Sequence, residues 1–279
     1  MKPVAFELKQ ARTLAEASEW LREADGNGKV LAGGQSLGPM LNLRLARPKL
    51  LVDIKRASGF RELAADDKVL SIGAGWTHAE IEDGAFEDPA RGFLRSVARG
   101  IAYRAVRNRG TIGGSLAHAD PAADWVSTLA VLGATVVATN GGGSSKRYPA
   151  ESFIAGAFVT RLADTEIISA VEVPRLSARA KWAYYKVCRK TGEFANAIGA
   201  VVFDPDRDVR RVLAGATDGP PVLLPRTVAE LADRGREAAQ AIVHDEIREV
   251  LPHLSSDAQA LLAIAVGRAL AQLDGEHHR

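Results

Sequence analysis

The apolar and polar positions divide the chain into three stretches. In the first, Ala5 to Leu8 reads as a strand. Thr13 to about Ala24 reads as a helix, with Thr13 as its cap and Glu16 completing a capping box. A short buried strand, Lys29 to Ala32, leads through Gly33-Gly34-Gln35-Ser36 into a helical segment from Pro39 to Leu45. Leu50 to Ile54 then closes a β-α-β unit. The second stretch predicts a strand at Val69 to Ile72, a Gly73-Ala74-Gly75 turn, and helices at Thr77 to Asp83, Pro89 to Arg99 and Trp125 to Leu132. Strands at Thr135 to Thr139 and Ile167 to Val173 flank a glycine turn at Gly141 to Gly143. Pro174 to Ala180 is polar and proline-marked, as a boundary is. Beyond it, three β-rich runs (Trp182 to Arg189, Ala195 to Phe203, Val209 to Thr217) predict an antiparallel meander. Helices follow at Val228 to Arg234, Arg236 to Val250 and Asp257 to Leu273. The expected architecture is α+β in three units, residues 1–55, 56–175 and 176–279.

Composition narrows the function. With 47% hydrophobic and 25% charged residues, the 279-residue chain is neither disordered nor fibrous. Thirty-six basic against thirty-four acidic residues leave a net charge of +2, too even to announce a nucleic acid. The one cysteine, Cys188, excludes an internal disulfide and a thiolate-held cluster. The six histidines (His78, His118, His244, His253, His277, His278) show no metal-ligand spacing, so no metal site is expected. The opening MKPVAFELKQ has no apolar signal core, and no run reaches the ~18 apolar residues of a membrane span. A cytoplasmic location is the expectation.

Two glycine-rich turns carry the candidate chemistry: Ala32-Gly33-Gly34-Gln35-Ser36-Leu37 and Thr111-Ile112-Gly113-Gly114-Ser115-Leu116. Paired glycines let the backbone turn tightly so that successive N–H groups face an anion, while the hydroxyl adds a donor. Either turn alone is also an ordinary structural turn; together they suggest one ligand with two phosphates gripped from both sides. The first turn is not GxGxxG, Gly38 is followed by Pro39 rather than the GK[ST] of a nucleotide hydrolase, and no GxSxG elbow is present.

Lys29 to Leu37, continued by Asn42 to Pro48 and Leu51 to Ile54, resembles the flavin-binding medium subunit of molybdenum hydroxylases, the xanthine dehydrogenase and carbon monoxide dehydrogenase families. So does Val106-Arg107-Asn108-Arg109-Gly110-Thr111-Ile112-Gly113-Gly114-Ser115, continued to Asp124, and so do Tyr185-Lys186 and Arg189-Lys190. The resemblance covers nearly the whole chain. It implies a two-subdomain PCMH-type (vanillyl-alcohol-oxidase-like) FAD-binding fold over 1–55 and 56–175. A C-terminal domain of a three-stranded antiparallel sheet with a helical bundle, 176–279, would close over the flavin.

Carried over position by position, the resemblance places Ala32, Gly33, Gly34, Gln35, Ser36 and Leu37 with Gly110, Thr111, Gly113, Gly114 and Ser115 at the diphosphate and adjoining sugar groups. Lys29 and Leu31 would approach the adenosine end, and Ile101, Ala102 and Val106 would line the channel. Ala117, Asp124, Ile168 and Lys186 complete the cofactor set. Bland readings stand beside these: Lys29 as a solvated strand end, Asp124 as a cap for the helix that follows, and Lys186 as an outward-facing strand residue. Arg104, Arg107 and Arg109 form a basic cluster suited to an anionic cofactor, an acidic partner or a solvated face. Cys188 reads as a small packing residue; His118 is a candidate for touching the flavin, and Phe194 either shields it or packs in the core.

No covalent flavin attachment motif occurs in the first block, so noncovalent FAD is expected. The resemblance further implies molybdopterin on a large partner subunit and [2Fe-2S] clusters on a small one, in a heterotrimer that is itself doubled. This chain would then pass electrons from the iron–sulfur partner to NAD+, a quinone or O2. Two other readings are a stand-alone FAD-dependent oxidase or reductase of the same superfamily and a noncatalytic nucleotide-binding subunit.

Overall fold

A computed structural model describes residues 2–142 and 144–273; Gly143 of the expected glycine turn, His277 and His278 lie outside the described residues. The first unit comprises β1 (Glu7–Gln10), α1 (Leu14–Glu23), β2 (Gly28–Leu31), α2 (Leu37–Asn42) and β3 (Leu50–Asp53). Its strands form a parallel sheet in the order β1-β3-β2. Leu14, Ala17, Ser18 and Leu21 are the buried stripe of α1, spaced as one helix face requires. Thr13 caps α1 through the Glu16 N–H, but Glu16 Oε2 accepts from Arg12 N at 2.6 Å rather than from Thr13, so the expected box closes one residue early. Helix α2 starts two residues before the expected Pro39, because proline is tolerated in a first turn; Arg44, at φ +60°, turns the chain after it.

The second unit runs through β4 (Leu63–Ala65), β5 (Val69–Gly73), α3 (His78–Asp83), α4 (Phe93–Arg99), α5 (Arg104–Arg107), α6 (Ile112–His118) and α7 (Asp124–Val131). It continues with β6 (Thr135–Thr139), β7 (Ser145–Pro149), α8 (Ala150–Phe153), β8 (Ile154–Gly156), β9 (Val159–Thr160) and β10 (Ile167–Pro174). The five-stranded sheet β4-β5-β10-β6-β7 is antiparallel throughout, and β8 and β9 form a separate hairpin. Helix α4 begins at Phe93 rather than Pro89, since Gly92 at φ +86° interrupts the turn and Asp88 accepts from the Ala90 and Arg95 N–H groups instead.

The third unit holds β11 (Lys181–Val187), β12 (Ala197–Asp204), β13 (Val209–Gly215), β14 (Val222–Leu223), α9 (Pro225–Asp233), α10 (Arg236–Val250) and α11 (Ser256–Gln272). The three expected strands are joined by the short β14, in the order β11-β12-β13-β14. Ile198, Ala200 and Val202 of β12 join the core shared with the first two units, whereas Ala197 and Val201 join the core beneath the helices. Alternate residues thus bury both faces of this sheet. Gly199 lets α11 lie directly on β12, because a Cβ there would stand 2.5 Å from the Val266 nitrogen.

Candidate cofactor site

The two glycine blocks meet. A Cβ on Gly33 would fall inside the Arg109 carbonyl oxygen and 2.8 Å from Gly110 Cα, so only glycine permits this approach. Around the junction lies a cleft of about 170 Å³ lined by Gly33, Lys55, Arg61, Thr77, Arg109 and Thr111 among others. Lys55 is paired with Asp53 and Arg61 with Glu80. Among the described residues Arg109 has no carboxylate partner.

The blocks differ in what they offer an anion. In the first, the N–H groups of Gly34, Gln35, Ser36 and Leu37 have no protein acceptor among the described residues, and Gly34 adopts φ +72° to turn them outward from β2. In the second, the amides are already committed: Gly113 N donates to Ala74 O at 3.0 Å, Gly114 N to Thr111 Oγ1 at 3.0 Å and Ser115 N to Thr111 O at 3.0 Å. The expectation of N–H donors from both sides is corrected here: the Ala74 carbonyl takes the Gly113 amide, and Thr111, the cap of α6, takes those of Gly114 and Ser115. Bare glycine surface and the Ser115 hydroxyl are left for a ligand.

Local packing fixes the second block. The Gly73-Ala74-Gly75 turn lies against it, and a Cβ on Gly113 would come 2.9 Å from the Ala74 oxygen. Ala74 N donates to Ser169 O, one residue beyond Ile168, which is buried in β10 opposite Ala138. The His78 N–H donates to Gly110 O at 2.9 Å, and its ring Nδ1 accepts from Trp125 Nε1 at 3.0 Å. Burial, aided by Arg107, pushes the His78 pKa down to about 4, so the ring is neutral at physiological pH.

Asp124 and Lys186 lie 62 positions apart in sequence yet form a buried pair, Oδ2 to Nζ at 2.9 Å. Tyr184 OH donates to Asp124 Oδ1 at 2.8 Å, and Lys186 Nζ also reaches Gly100 O at 3.5 Å. Burial raises the Asp124 pKa, while Lys186 and Tyr184 pull it back. One bland reading is thereby replaced: Lys186 points into the interface with the second unit rather than into solvent. Asp124, the first residue of α7, turns its carboxylate to Lys186 and Tyr184 and also to its own main-chain N–H at the helix start.

The remaining candidates are spread more widely. Leu31 ends β2 half-buried, Lys29 is exposed on the same strand, and Ala117 is exposed on α6. Ile101 bridges to Gly192, and the carbonyls of Ile101 and Ala102 accept from Arg107; Val106 O accepts from Gly110 N. Arg104 and Arg107 are paired with Glu82 and Asp83 of α3, so two members of the basic cluster serve the fold. His118 packs on Phe158. Phe194 is 62% exposed, which removes it from the core; with Arg189, Gly192, Glu193 and Asn196 it lines a surface cavity of about 380 Å³. Sequence reasoning missed His78, Trp125 and Tyr184. Their signal was slight, since each sits on an otherwise ordinary helix or strand pattern.

Residues 4–176 match the family described as the FAD binding domain in molybdopterin dehydrogenase. The chain belongs to that family. FAD is accordingly its cofactor, and the chain is a flavoprotein subunit of an oxidoreductase. Over 195 residues it is 37% identical to the 6-hydroxypseudooxynicotine dehydrogenase complex subunit alpha of Paenarthrobacter nicotinovorans, covering 70% of this chain and 66% of that one. It is 35% identical over 202 residues to the carbon monoxide dehydrogenase medium chain of Hydrogenophaga pseudoflava, covering 72% and 70%. Among solved structures, a carbon monoxide dehydrogenase from Hydrogenophaga pseudoflava, one lacking the Mo-pyranopterin moiety of its molybdenum cofactor, superposes with a TM-score of 0.89 at 30% identity. That match covers 98% of each chain. Quinoline 2-oxidoreductase from Pseudomonas putida 86 follows at 0.85 and 29%, again over 98% of each chain. These likenesses bear out the expected PCMH-type fold. The donor chemistry beside the glycine junction fits a dinucleotide: the N–H groups of Gly34, Gln35, Ser36 and Leu37 have no protein acceptor among the described residues, next to a main-chain approach that only glycine at position 33 permits.

Proposed function

We propose that this chain is the electron-transfer subunit of a multi-subunit molybdenum hydroxylase of the cytoplasm. It takes electrons from a small [2Fe-2S] subunit and passes them to an external acceptor, NAD+, a quinone or O2, while substrate oxidation belongs to a large molybdopterin subunit. The complex would be a heterotrimer, itself doubled. The observation that supports this most is the abutment of the two glycine blocks within the residues that match the family. When bound, noncovalent FAD supplies two-electron redox chemistry in its isoalloxazine ring. The protein's own tasks are then binding and orientation. The N–H groups of Gly34 to Leu37 would hold the diphosphate, with the Ser36 and Ser115 hydroxyls beside them. The Asp124–Lys186 pair fastens the third unit over α7 and keeps two charges buried without a net charge beside the cofactor. With one cysteine, the chain lacks the thiolates of a cluster, which fits a partner subunit that carries them.

Tagged full-length protein, isolated from cells that make it naturally, is expected to bring down a large and a small polypeptide with molybdenum, iron and FAD in the complex. Isolation as a single chain that oxidises a substrate unaided would overturn this reading in favour of a stand-alone flavoenzyme.

A further inference from the structure

His78 is 5% exposed, and neither the glycine turns nor the Asp124–Lys186 pair accounts for its ring. Two of its contacts are to Gly110 and a third is to Trp125 of α7. Its main-chain N–H holds the Gly110 carbonyl. Its Nδ1 accepts the Trp125 indole proton, which leaves the ring proton on Nε2. Nε2 in turn lies where a Cβ on Gly110 would be only 2.8 Å away. Trp125 adjoins Asp124, the residue that anchors Lys186 and Tyr184. The imidazole therefore spans the gap between the second glycine block and the start of α7, touching both.

We propose that the His78 imidazole is a positioning group that sets the Gly110 turn at a fixed distance from the Asp124 end of α7, holding the two sides of the FAD cradle in register. This rests on the reading that Gly110 to Ser115 face the cofactor. A histidine serves here because one ring nitrogen must accept from an indole while the flat ring fills the space that Gly110 leaves. An aliphatic side chain would strand the Trp125 N–H in the core.

The test is a double-mutant cycle on the full chain, read as FAD affinity by quenching of flavin fluorescence and, separately, as thermal midpoint. Gly110→Ala pushes a methyl into the imidazole and is expected to weaken FAD by about tenfold or more. Adding His78→Ala to it removes the collision but also the imidazole, so the double variant should bind FAD no worse than His78→Ala alone, a departure from additivity. His78→Gln keeps an acceptor for Trp125 in a smaller side chain; it should fold and bind FAD within about threefold of the parent, whereas His78→Leu should not. Unchanged affinity in Gly110→Ala, or equal binding by the Gln and Leu variants, would overturn the proposal. Coupling of the two positions in thermal midpoint but not in FAD affinity would overturn both the proposal and the placement of the cofactor at Gly110. Absence of coupling in both readouts would overturn the proposal alone.

Discussion

Asp124 and Lys186 show what a pair of charges costs when either is left alone. Both are nearly sheltered from water, with side-chain exposures of 6% and 11%. Lys186→Met should strand the carboxylate and destabilise the chain by about 3–5 kcal/mol in urea unfolding, and Asp124→Asn added to it should return part of that loss. His78 yields a pH signature. The unfolded chain binds a proton near pH 6.5 that the folded chain refuses until about pH 4. Stability is therefore full above about 6.5 and falls on acidification toward 4, by an amount on the order of 3 kcal/mol that His78→Gln should remove from the profile. The sequence made Asp124 and Lys186 candidates only through resemblance. Nothing in a period-2 strand tells which lysine turns inward, because that depends on which face of β11 meets α7. Tyr184 and His78 were hidden for the same reason: their partners lie 60 and 47 positions away.

At the scale of elements, the turns were easier to read than the ends of helices. The first glycine block and the Gly73-Ala74-Gly75 turn stand where glycine spacing placed them, whereas the second block, read as a turn, is the start of α6, with Thr111 as its cap. Helix starts moved by two to four residues wherever a proline entered a first turn or a left-handed glycine interrupted one, as at Pro39, Pro225 and Gly92. The two-residue β14 is too short to leave a period. What the pattern could not reveal is that Ala74 and the Thr111 cap of α6 between them take up the amides of Gly113, Gly114 and Ser115. The turns nevertheless allow a sharp contrast. Gly33→Ala drives a methyl into the main chain at Arg109, which no rotamer relieves, and should cost about 1–3 kcal/mol and most FAD retention. Gly38→Ala, in the same segment but with nothing within 4 Å, should leave FAD content unchanged and raise stability by roughly 0.5–1 kcal/mol, measured in the same unfolding and cofactor-release assays.

Over the whole molecule, the first unit's β-α-β, the strands β5, β6 and β10, the meander and the helical end of the chain were legible from periodicity, whereas β4, β7, the β8–β9 hairpin and the way the units close on one another were not. One core runs from α1 through the antiparallel sheet to one face of β12, and Phe93 stacks on Trp182 across that seam with ring centroids 4.6 Å apart. Among the described residues no helix is long and apolar enough to cross a membrane. The third unit is packed against α7, where Lys186 and Tyr184 reach Asp124, and the cleft at the glycine junction is lined by residues of the first and second units. Amide hydrogen exchange of the full chain with and without FAD tests that arrangement most directly. The account predicts that FAD slows exchange chiefly at Gly34 to Leu37, whose N–H groups have no protein acceptor among the described residues, with smaller changes at Gly110 to Ser115. Saturating FAD that leaves exchange at Gly34 to Leu37 untouched while protecting some other surface would contradict it.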